Sequence, residues 1–110
     1  ERLIRPEELP AVKLCTNAIE ERFAEGGARR VNIDPGYVAR QHLILATGKG
    51  YSHRPYIGRG IYADVTLEYR KETYRPFAWT YPDYRAERTV AMLNALRRRY
   101  VIQLKNSHKA

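Results

Sequence analysis

Hydrophobic residues recur with helical spacing near the beginning of the chain. From Leu9 to Phe23, apolar positions at Val12, Cys15, Ile19 and Phe23 are separated by three or four residues. This spacing predicts an amphipathic helix with one buried apolar face. It also predicts that the Cys15 thiol is buried and chemically inert.

A second helical pattern extends from Ala86 to Leu104, after the helix-breaking pair Pro82-Asp83. Its apolar stripe is interrupted by basic residues, so a partly exposed helix is expected. The positions of the stripe are Val90, Leu93, Arg97, Tyr100 and Leu104.

The clearest strand pattern extends from Ile61 to Arg70, where apolar and polar residues alternate. A turn after Arg70 and a return strand from Tyr74 to Trp79 would complete a hairpin, and Pro76 indicates that this strand lies at a sheet edge or carries a bulge. Shorter strands are expected at 30–33 and 43–46. Together these elements predict an α+β fold: a small, mostly antiparallel sheet with two amphipathic helices in a single domain over residues 1–110.

Composition narrows the class of protein. The chain has 110 residues, 44% of them hydrophobic, which is enough to bury a core. One cysteine excludes an internal disulfide and favours the cytoplasm. No apolar run reaches the roughly 18 residues of a membrane span, so no membrane association is expected.

The positive charge is concentrated near the end of the chain. The net charge is +8, and residues 85–110 account for +6 of it, with seven basic and one acidic side chain. A basic helix attracts phosphates, so one alternative function is an RNA-binding or ribonucleoprotein-associated module. Its contact residues would be Arg97, Arg98, Arg99 and Lys105. A solvated helix face explains the same pattern.

Motifs with a known mechanism are absent from the sequence. Gly48-Lys49-Gly50 lacks the spacing of a phosphate-binding P-loop, and Gly58-Arg59-Gly60 lacks the third glycine of a dinucleotide fingerprint. The three histidines are scattered, so no metal site is predicted. The sequence therefore identifies neither a cofactor nor catalytic residues.

Polar and aromatic residues are instead concentrated in three loop-like stretches, at 32–37, 52–56 and 79–85. Such loops on a scaffold commonly carry binding groups, and we predict a site for a small anionic or nucleotide-like ligand if the three loops converge. Arg54 would meet the anion and Tyr81 would stack on the ligand. The candidate residues are Asn32, Asp34, His53, Arg54, Tyr56, Tyr81 and Asp83.

A third function uses the same residues for catalysis. His53 with Asp34 or Asp83 would support a hydrolase or a phosphoryl-transfer enzyme. Each residue also has a structural explanation: Asp34 forms a turn, Asp83 caps the last helix, and His53 belongs to a hairpin loop. Trp79 is expected to anchor the core.

The same stretches carry a resemblance to a known family. The matching segments resemble the bacterial and archaeal family called domain of unknown function 4416. They are residues 30–37, 43–47, 53–56, 60–67 and 79–84.

The resemblance implies a longer chain with an N-terminal strand-helix-strand unit, completing an α/β sandwich of which residues 1–110 are the C-terminal two thirds. The chain also begins at Glu1 without an initiator methionine. Some members carry an automatic label of GTP-binding protein. No phosphate-cradling loop is present in this sequence to support that label, and the resemblance transfers no catalytic residue.

Overall fold

The computed structural model describes residues 3–24, 26 and 33–109, and these form an α+β fold. Three helices and five strands follow a short 3-10 turn at Pro6–Glu8. In chain order they are α1 (Leu9–Arg22), β1 (Gly36–Val38), β2 (His42–Thr47), β3 (Tyr56–Gly58), β4 (Ile61–Arg70), β5 (Thr73–Pro76), α2 (Pro82–Arg85) and α3 (Glu87–Lys109).

The strands form one antiparallel sheet in the order β1-β2-β4-β3, with β5 also paired to β4. The long central strand β4 has the predicted bounds, and the short strand expected at 43–46 is extended by one residue at each end. The three-residue strands β1 and β3 are too short to give a hydrophobic pattern, so the sequence did not indicate them.

The predicted hairpin is confirmed, with Arg70 opposite Thr73 and Leu67 opposite Pro76. The return strand ends at Pro76 instead of continuing to Trp79. Proline has no N–H to donate to a neighbouring strand, which explains why the ladder stops there. Among the described strands β5 pairs only with β4, so its edge position is also confirmed.

The first helix forms where the pattern predicts it, but the predicted buried face is wrong. Cys15 is exposed, and the exposed fractions of Val12 and Phe23 are 39% and 55%. The buried stripe instead includes Lys13 and Glu20. Both polar side chains are tied to the backbone of Ile33, since Lys13 Nζ donates to its carbonyl (3.4 Å) and Glu20 Oε2 accepts from its N–H (2.7 Å).

The chain divides into two compact units. Unit 1 comprises Glu1–Leu3, Tyr37–Ile44 and Val65–Ala110, and unit 2 comprises Ile4–Gly36 and Leu45–Asp64. The strand expected at 30–33 lies outside the described residues except for Ile33, which is not in a strand.

In unit 1, α3 packs on β5 and α2, and the five positions of the predicted stripe are all buried or half-buried, which confirms the stripe. Leu93 is buried, while Asn94 accepts from the Tyr74 N–H (3.1 Å) and donates to Thr73 Oγ1 (2.9 Å). The helix continues to Lys109, beyond the predicted end at Leu104. Among the helices in the described part of the chain, none has the length and apolar character needed to cross a bilayer.

Candidate ligand site

The second predicted loop forms a tight turn in unit 2. The Arg54 N–H donates to the Tyr51 carbonyl (3.0 Å), which closes residues 51–54 into a turn. Directly after it, the Pro55 carbonyl accepts from the Ala63 N–H of β4 (2.9 Å). His53 and Arg54 therefore lie in a tight turn that is fixed against β4. Among the described strands, β2 and β3 on either side of this loop pair with β4 and not with each other, so it is not the hairpin loop that the sequence suggested.

Asp64 joins the two candidate residues of this turn. Its Oδ2 lies 2.8 Å from Arg54 Nε and 3.3 Å from His53 Nε2. The exposed fractions of the three side chains are only 13–14%, so water screens the ion pair weakly. Arg54 Nη1 also donates to the Lys49 carbonyl (3.2 Å). The Arg54 guanidinium thus holds the turn together, with two of its nitrogens engaged by the protein.

One aromatic ring contacts this charged group, and a second pair of rings lies in the same segment of the chain. The Tyr51 ring contacts His53 edge-to-face, with 5.4 Å between ring centroids, and Arg54 Cζ lies 6.0 Å from the Tyr51 centroid. Tyr56 meets Tyr62 in the same manner at 5.3 Å. Tyr51 and Tyr56 remain 71% and 61% exposed. Their faces are thus available for stacking on a flat ligand.

Gly50 permits this arrangement by its lack of a side chain. A Cβ at this position would lie only 3.0 Å from Cζ of the Tyr62 ring. The backbone before the turn can therefore run directly against that ring. The turn between β3 and β4 is fixed in a different way, because the Gly60 N–H donates to the Tyr56 hydroxyl (3.0 Å). Arg59, in that turn, has a positive φ of 56°.

The charge balance of this segment favours anions. From residue 48 to residue 64, Lys49, Arg54 and Arg59 oppose the single carboxylate of Asp64. Lys49 and Arg59 are exposed, whereas Arg54 is paired with Asp64. The accessible charge on this part of unit 2 is therefore positive.

The first predicted loop is described only in part. Asn32 lies outside the described residues. Asp34 is exposed and lies between two fixed neighbours, because α1 holds both backbone groups of Ile33 and the Pro35 carbonyl accepts from the Ala46 N–H (2.9 Å). Asp34 belongs to unit 2, as do His53, Arg54 and Tyr56.

The third predicted loop belongs to unit 1 and is held by its own contacts. Thr80 Oγ1 donates to the Thr66 carbonyl (2.6 Å), and Arg85 Nη2 donates to the Phe77 carbonyl (2.6 Å). Trp79 Nε1 donates to the Val65 carbonyl (2.9 Å). Trp79 anchors the loop in this way but is 40% exposed, so it is not the core residue that the sequence predicted.

Tyr81 and Asp83 extend from this third loop. Tyr81 is 65% exposed and is the N-cap residue of α2, and Asp83 lies exposed in the first turn of that helix. The expectation that Asp83 caps the last helix is wrong, because a separate short helix precedes α3. The convergence of the three loops on one ligand, and catalysis by His53 with Asp34 or Asp83, stay predictions.

The basic residues of α3 have different environments. The Arg97 guanidinium lies over the Tyr69 ring, 3.4 Å from its centroid, and Nε donates to the Arg40 carbonyl (3.0 Å). Arg97 therefore supports the fold of unit 1. Arg98, Arg99 and Lys105 are exposed.

Four residues of the site, Lys49, Tyr51, Arg59 and Asp64, were not predicted as site residues from the sequence. Asp64 was assigned only to the polar face of a strand, and Tyr51 only to the surroundings of a loop. An available signal was the combination of a basic loop residue with a carboxylate at a half-buried strand position, since half-buried charges are normally paired. The sequence alone does not identify which of the chain's carboxylates is the partner.

The chain matches one family over most of its length. The family is described as a domain of unknown function (DUF4416), and the match covers residues 1–100. No curated protein and no solved structure matches the chain. In the described part of the chain, no three residues of the metal-ligating types His, Cys, Asp and Glu are grouped so as to hold a metal ion.

Proposed function

The chain belongs to the DUF4416 family, and we propose that it binds a small anionic or nucleotide-like ligand at residues 49–64 of unit 2. The proposal rests on one observation: the Asp64 carboxylate contacts both His53 and Arg54, and the exposed ring of Tyr51 lies beside them. A fixed charged group beside an exposed aromatic ring is suited to a ligand with one flat part and one anionic part.

Each part of the ligand has a matching group. The Tyr51 face would stack on the flat part, and Tyr56 offers a second exposed ring. The exposed ammonium of Lys49 and the guanidinium of Arg59 would attract the anionic part. Arg54 would contribute mainly by holding the turn, because Asp64 already engages its Nε.

A cytoplasmic location is part of the same proposal. Cys15 is the single cysteine of the chain, and it is free and exposed. Exposed free thiols persist in reducing compartments, where nucleotides and other phosphorylated metabolites are abundant. The exposed free thiol therefore supports a function inside the cell.

The proposal is tested by titrating the protein with GTP, ATP and inorganic pyrophosphate in a calorimeter. We expect a nucleotide to bind more tightly than pyrophosphate, because only the nucleotide offers a ring to Tyr51. Tyr51→Ala should weaken that binding about tenfold, or about 1.4 kcal/mol, which lies within the roughly 1–3 kcal/mol attributed to stacking of one base on an aromatic ring.

Phe23→Ala is the matched control, because Phe23 is a similarly exposed aromatic residue outside the three loops. It should leave the affinity unchanged. Tyr81→Ala addresses the three-loop prediction: an equal loss would support convergence of the loops, and no loss would restrict the site to unit 2. Absence of binding by all three probes, or equal loss in the Tyr51 and Phe23 variants, would contradict the proposal.

A further inference from the structure

Helix α1 carries an apolar stripe that the fold leaves largely exposed. At 100° per residue four apolar positions lie within about 80° of one another, and the centre of this stripe is about 120° from the buried side of the helix around Lys13. Two of them, Val12 and Phe23, are 39% and 55% exposed, and the Cys15 thiol is also exposed. We call this surface the α1 stripe, and its residues are Val12, Cys15, the half-buried Ile19 and Phe23, which is the C-cap residue of the helix.

A carboxylate and a guanidinium mark the two ends of the α1 stripe. Glu8 is the N-cap residue of α1, and Arg22 lies in its last turn. In helical projection Glu8 lies within the stripe, and Arg22 lies about 20° outside it, on the side of Cys15. Both are seven residues from Cys15, or about 10 Å along the helix axis. The stripe therefore has opposite charges at equal distances from its middle.

We propose that the α1 stripe is the interface of a homodimer, in which two copies of α1 pack in antiparallel orientation about a twofold axis at Cys15. The axis brings Glu8 of each copy opposite Arg22 of the other, which forms two identical ion pairs. It also brings Val12 of each copy next to Ile19 of the other, so the exposed Val12 side chain gains an apolar partner. Charge complementarity and burial of the stripe thus favour the same arrangement.

The positions of the charges favour the antiparallel orientation over a parallel one. A parallel pair would place the two Glu8 carboxylates side by side, and likewise the two Arg22 guanidiniums, and like charges repel. In an antiparallel pair, residues on the same flank of each helix meet across the twofold axis, and Glu8 and Arg22 lie on the same flank of the stripe. The two helix dipoles also oppose one another in this orientation, which is favourable.

Small side chains near the twofold axis permit close packing of the two helices. Cys15 lies on the axis, and the exposed Ala11 and Ala18 continue the surface on the flank of Arg22. Helices in contact have axes about 8–10 Å apart, and Cα atoms lie about 2.3 Å from their own axis. The Cα atoms of the two Cys15 residues would therefore be about 5–6 Å apart, which is within the range of a disulfide.

Other occupants fit the α1 stripe less well. RNA and anionic membranes attract surfaces with a net positive charge, whereas Glu8 and Arg22 leave the stripe without one. An apolar helix of another protein would cover the apolar residues, but the placement of opposite charges at equal distances from Cys15 matches the symmetry of a pair of identical helices.

The oligomeric state of the wild-type chain is the first test. Sedimentation equilibrium is measured in about 0.15 M salt, which screens the repulsion between two chains of net charge +8. A single pair of helices makes a smaller interface than most stable complexes, so we expect a reversible dimer with a dissociation constant on the order of 100 μM.

Charge-reversal variants test the two ion pairs. Glu8→Arg and Arg22→Glu should each weaken the dimer at least about tenfold, because each places like charges together. The double variant restores opposite charges and should bring the dissociation constant back to within about threefold of the wild-type value. Glu21→Arg is the control, because this exposed residue lies on the other side of α1 and should leave the dimer unchanged.

A substitution in the stripe tests the apolar contact. Val12→Ser should weaken the dimer about tenfold, because it removes a buried apolar side chain from the interface. Leu14→Ser is the matched control, since Leu14 is 36% exposed but lies on the other side of the helix. Circular dichroism and thermal unfolding confirm that each variant is folded.

The single cysteine gives a measurement that needs no change of the interface. Treating the wild-type protein with copper phenanthroline oxidises thiols that lie close together, and we expect a dimer linked through Cys15 on a non-reducing gel. The control moves the thiol to the other side of α1, by combining Cys15→Ser with Glu21→Cys. This variant should be linked more slowly at the same protein concentration.

Three results would overturn the proposal. A monomer at every concentration would exclude the dimer. A dimer that Val12→Ser and the charge reversals leave unchanged would show that the interface lies elsewhere. Failure of the double charge reversal to restore a dimer that the single reversals weaken would exclude the antiparallel pairing of Glu8 with Arg22.

Discussion

Asp64 organises the candidate site at the scale of single residues. One of its carboxylate oxygens lies within 3.3 Å of side-chain nitrogens from both His53 and Arg54, which are eleven and ten residues earlier in the chain. The alternation of polar and apolar residues in β4 predicts that Asp64 lies on the polar face of the strand. It does not predict which residues of other segments contact that face. The pairing depends on the turn at 51–54, whose geometry is not encoded in hydrophobic periodicity.

Removing the charge of Asp64 should destabilise the turn. Asp64→Asn leaves the Arg54 guanidinium, with only 14% of the side chain exposed, without a carboxylate. We expect the free energy of unfolding to fall by about 1–3 kcal/mol, the range for losing a charge-assisted hydrogen bond of this kind. Urea denaturation measures the change.

The exposed ion pair of Arg70 and Glu68 provides the matched control. Its atoms are 3.6 Å apart, and the side chains are 59% and 37% exposed. Glu68→Gln should therefore change stability by less than about 0.5 kcal/mol. Similar losses in Asp64→Asn and Glu68→Gln would show that burial does not strengthen the Arg54–Asp64 pair.

At the scale of elements, α1 shows which features hydrophobic spacing predicts and which it does not. The spacing correctly gives a helix, because apolar residues at intervals of three and four favour one. It gives the wrong buried face, since Lys13 and Glu20 are buried while Val12 and Phe23 are exposed. Two buried polar groups that hydrogen-bond the backbone of Ile33 are stable together, and hydropathy alone does not anticipate such contacts.

Glu20 should consequently be important for stability despite its polarity. Glu20→Leu removes the acceptor of the Ile33 N–H, and we expect a loss of about 1–3 kcal/mol in the free energy of unfolding. The exchange rate of the Ile33 amide proton should also rise. Glu21→Leu makes the same substitution at the next, exposed position and should stay within about 0.5 kcal/mol of the wild-type protein. A neutral Glu20→Leu would refute the role of this hydrogen bond.

The backbone angles of the turn between β4 and β5 identify the type of turn. Lys71 and Glu72 both have positive φ values, of 53° and 67°, which is the pattern of a type I′ hairpin turn. Asn-Gly is the preferred sequence for this turn, because side chains with a Cβ resist the left-handed region. Lys71→Asn with Glu72→Gly should therefore raise the free energy of unfolding by about 1 kcal/mol.

A substitution in the opposite direction tests the same geometry. Lys71→Val introduces a β-branched residue at a left-handed position and should lower the free energy of unfolding. Thermal unfolding of both variants makes the comparison. A stabilising valine would contradict the type I′ backbone.

At the scale of the whole molecule, the fold was more predictable than the site. The long alternating strand and the two helical patterns are local properties of the sequence, so the α+β class and the hairpin follow from them. The candidate site depends on contacts between residues that are distant in sequence, such as Arg54 with Asp64 and Ile33 with α1. Composition indicated polar, aromatic loops, and the structure then identified the contacts that fix the loop of His53 and Arg54.

Global stability should fall in mild acid because of His42. Desolvation of this half-buried imidazole lowers its pKa below the ordinary value of 6.5. The unfolded chain therefore binds a proton more readily than the folded protein, and stability declines as the pH falls below about 6.5. His42→Gln should flatten this part of the profile, as measured by urea denaturation at a series of pH values. An unchanged slope in the variant would assign the decline to other groups.

The alkaline limit should be set largely by Tyr74. Burial raises the pKa of its phenol from 10.0 to about 12, while the hydroxyl donates to the Ala39 carbonyl at 2.9 Å. Between pH 10 and 12 the unfolded chain loses this proton first, so stability should decline as the pH rises through that interval. Tyr74→Phe should cost about 1 kcal/mol at pH 7 by removing the hydrogen bond, yet reduce the alkaline decline. Denaturation at pH 7 and at pH 11 separates the two effects: a variant that loses stability at pH 7 but keeps the full wild-type decline would show that Tyr74 supports the fold without setting its alkaline limit.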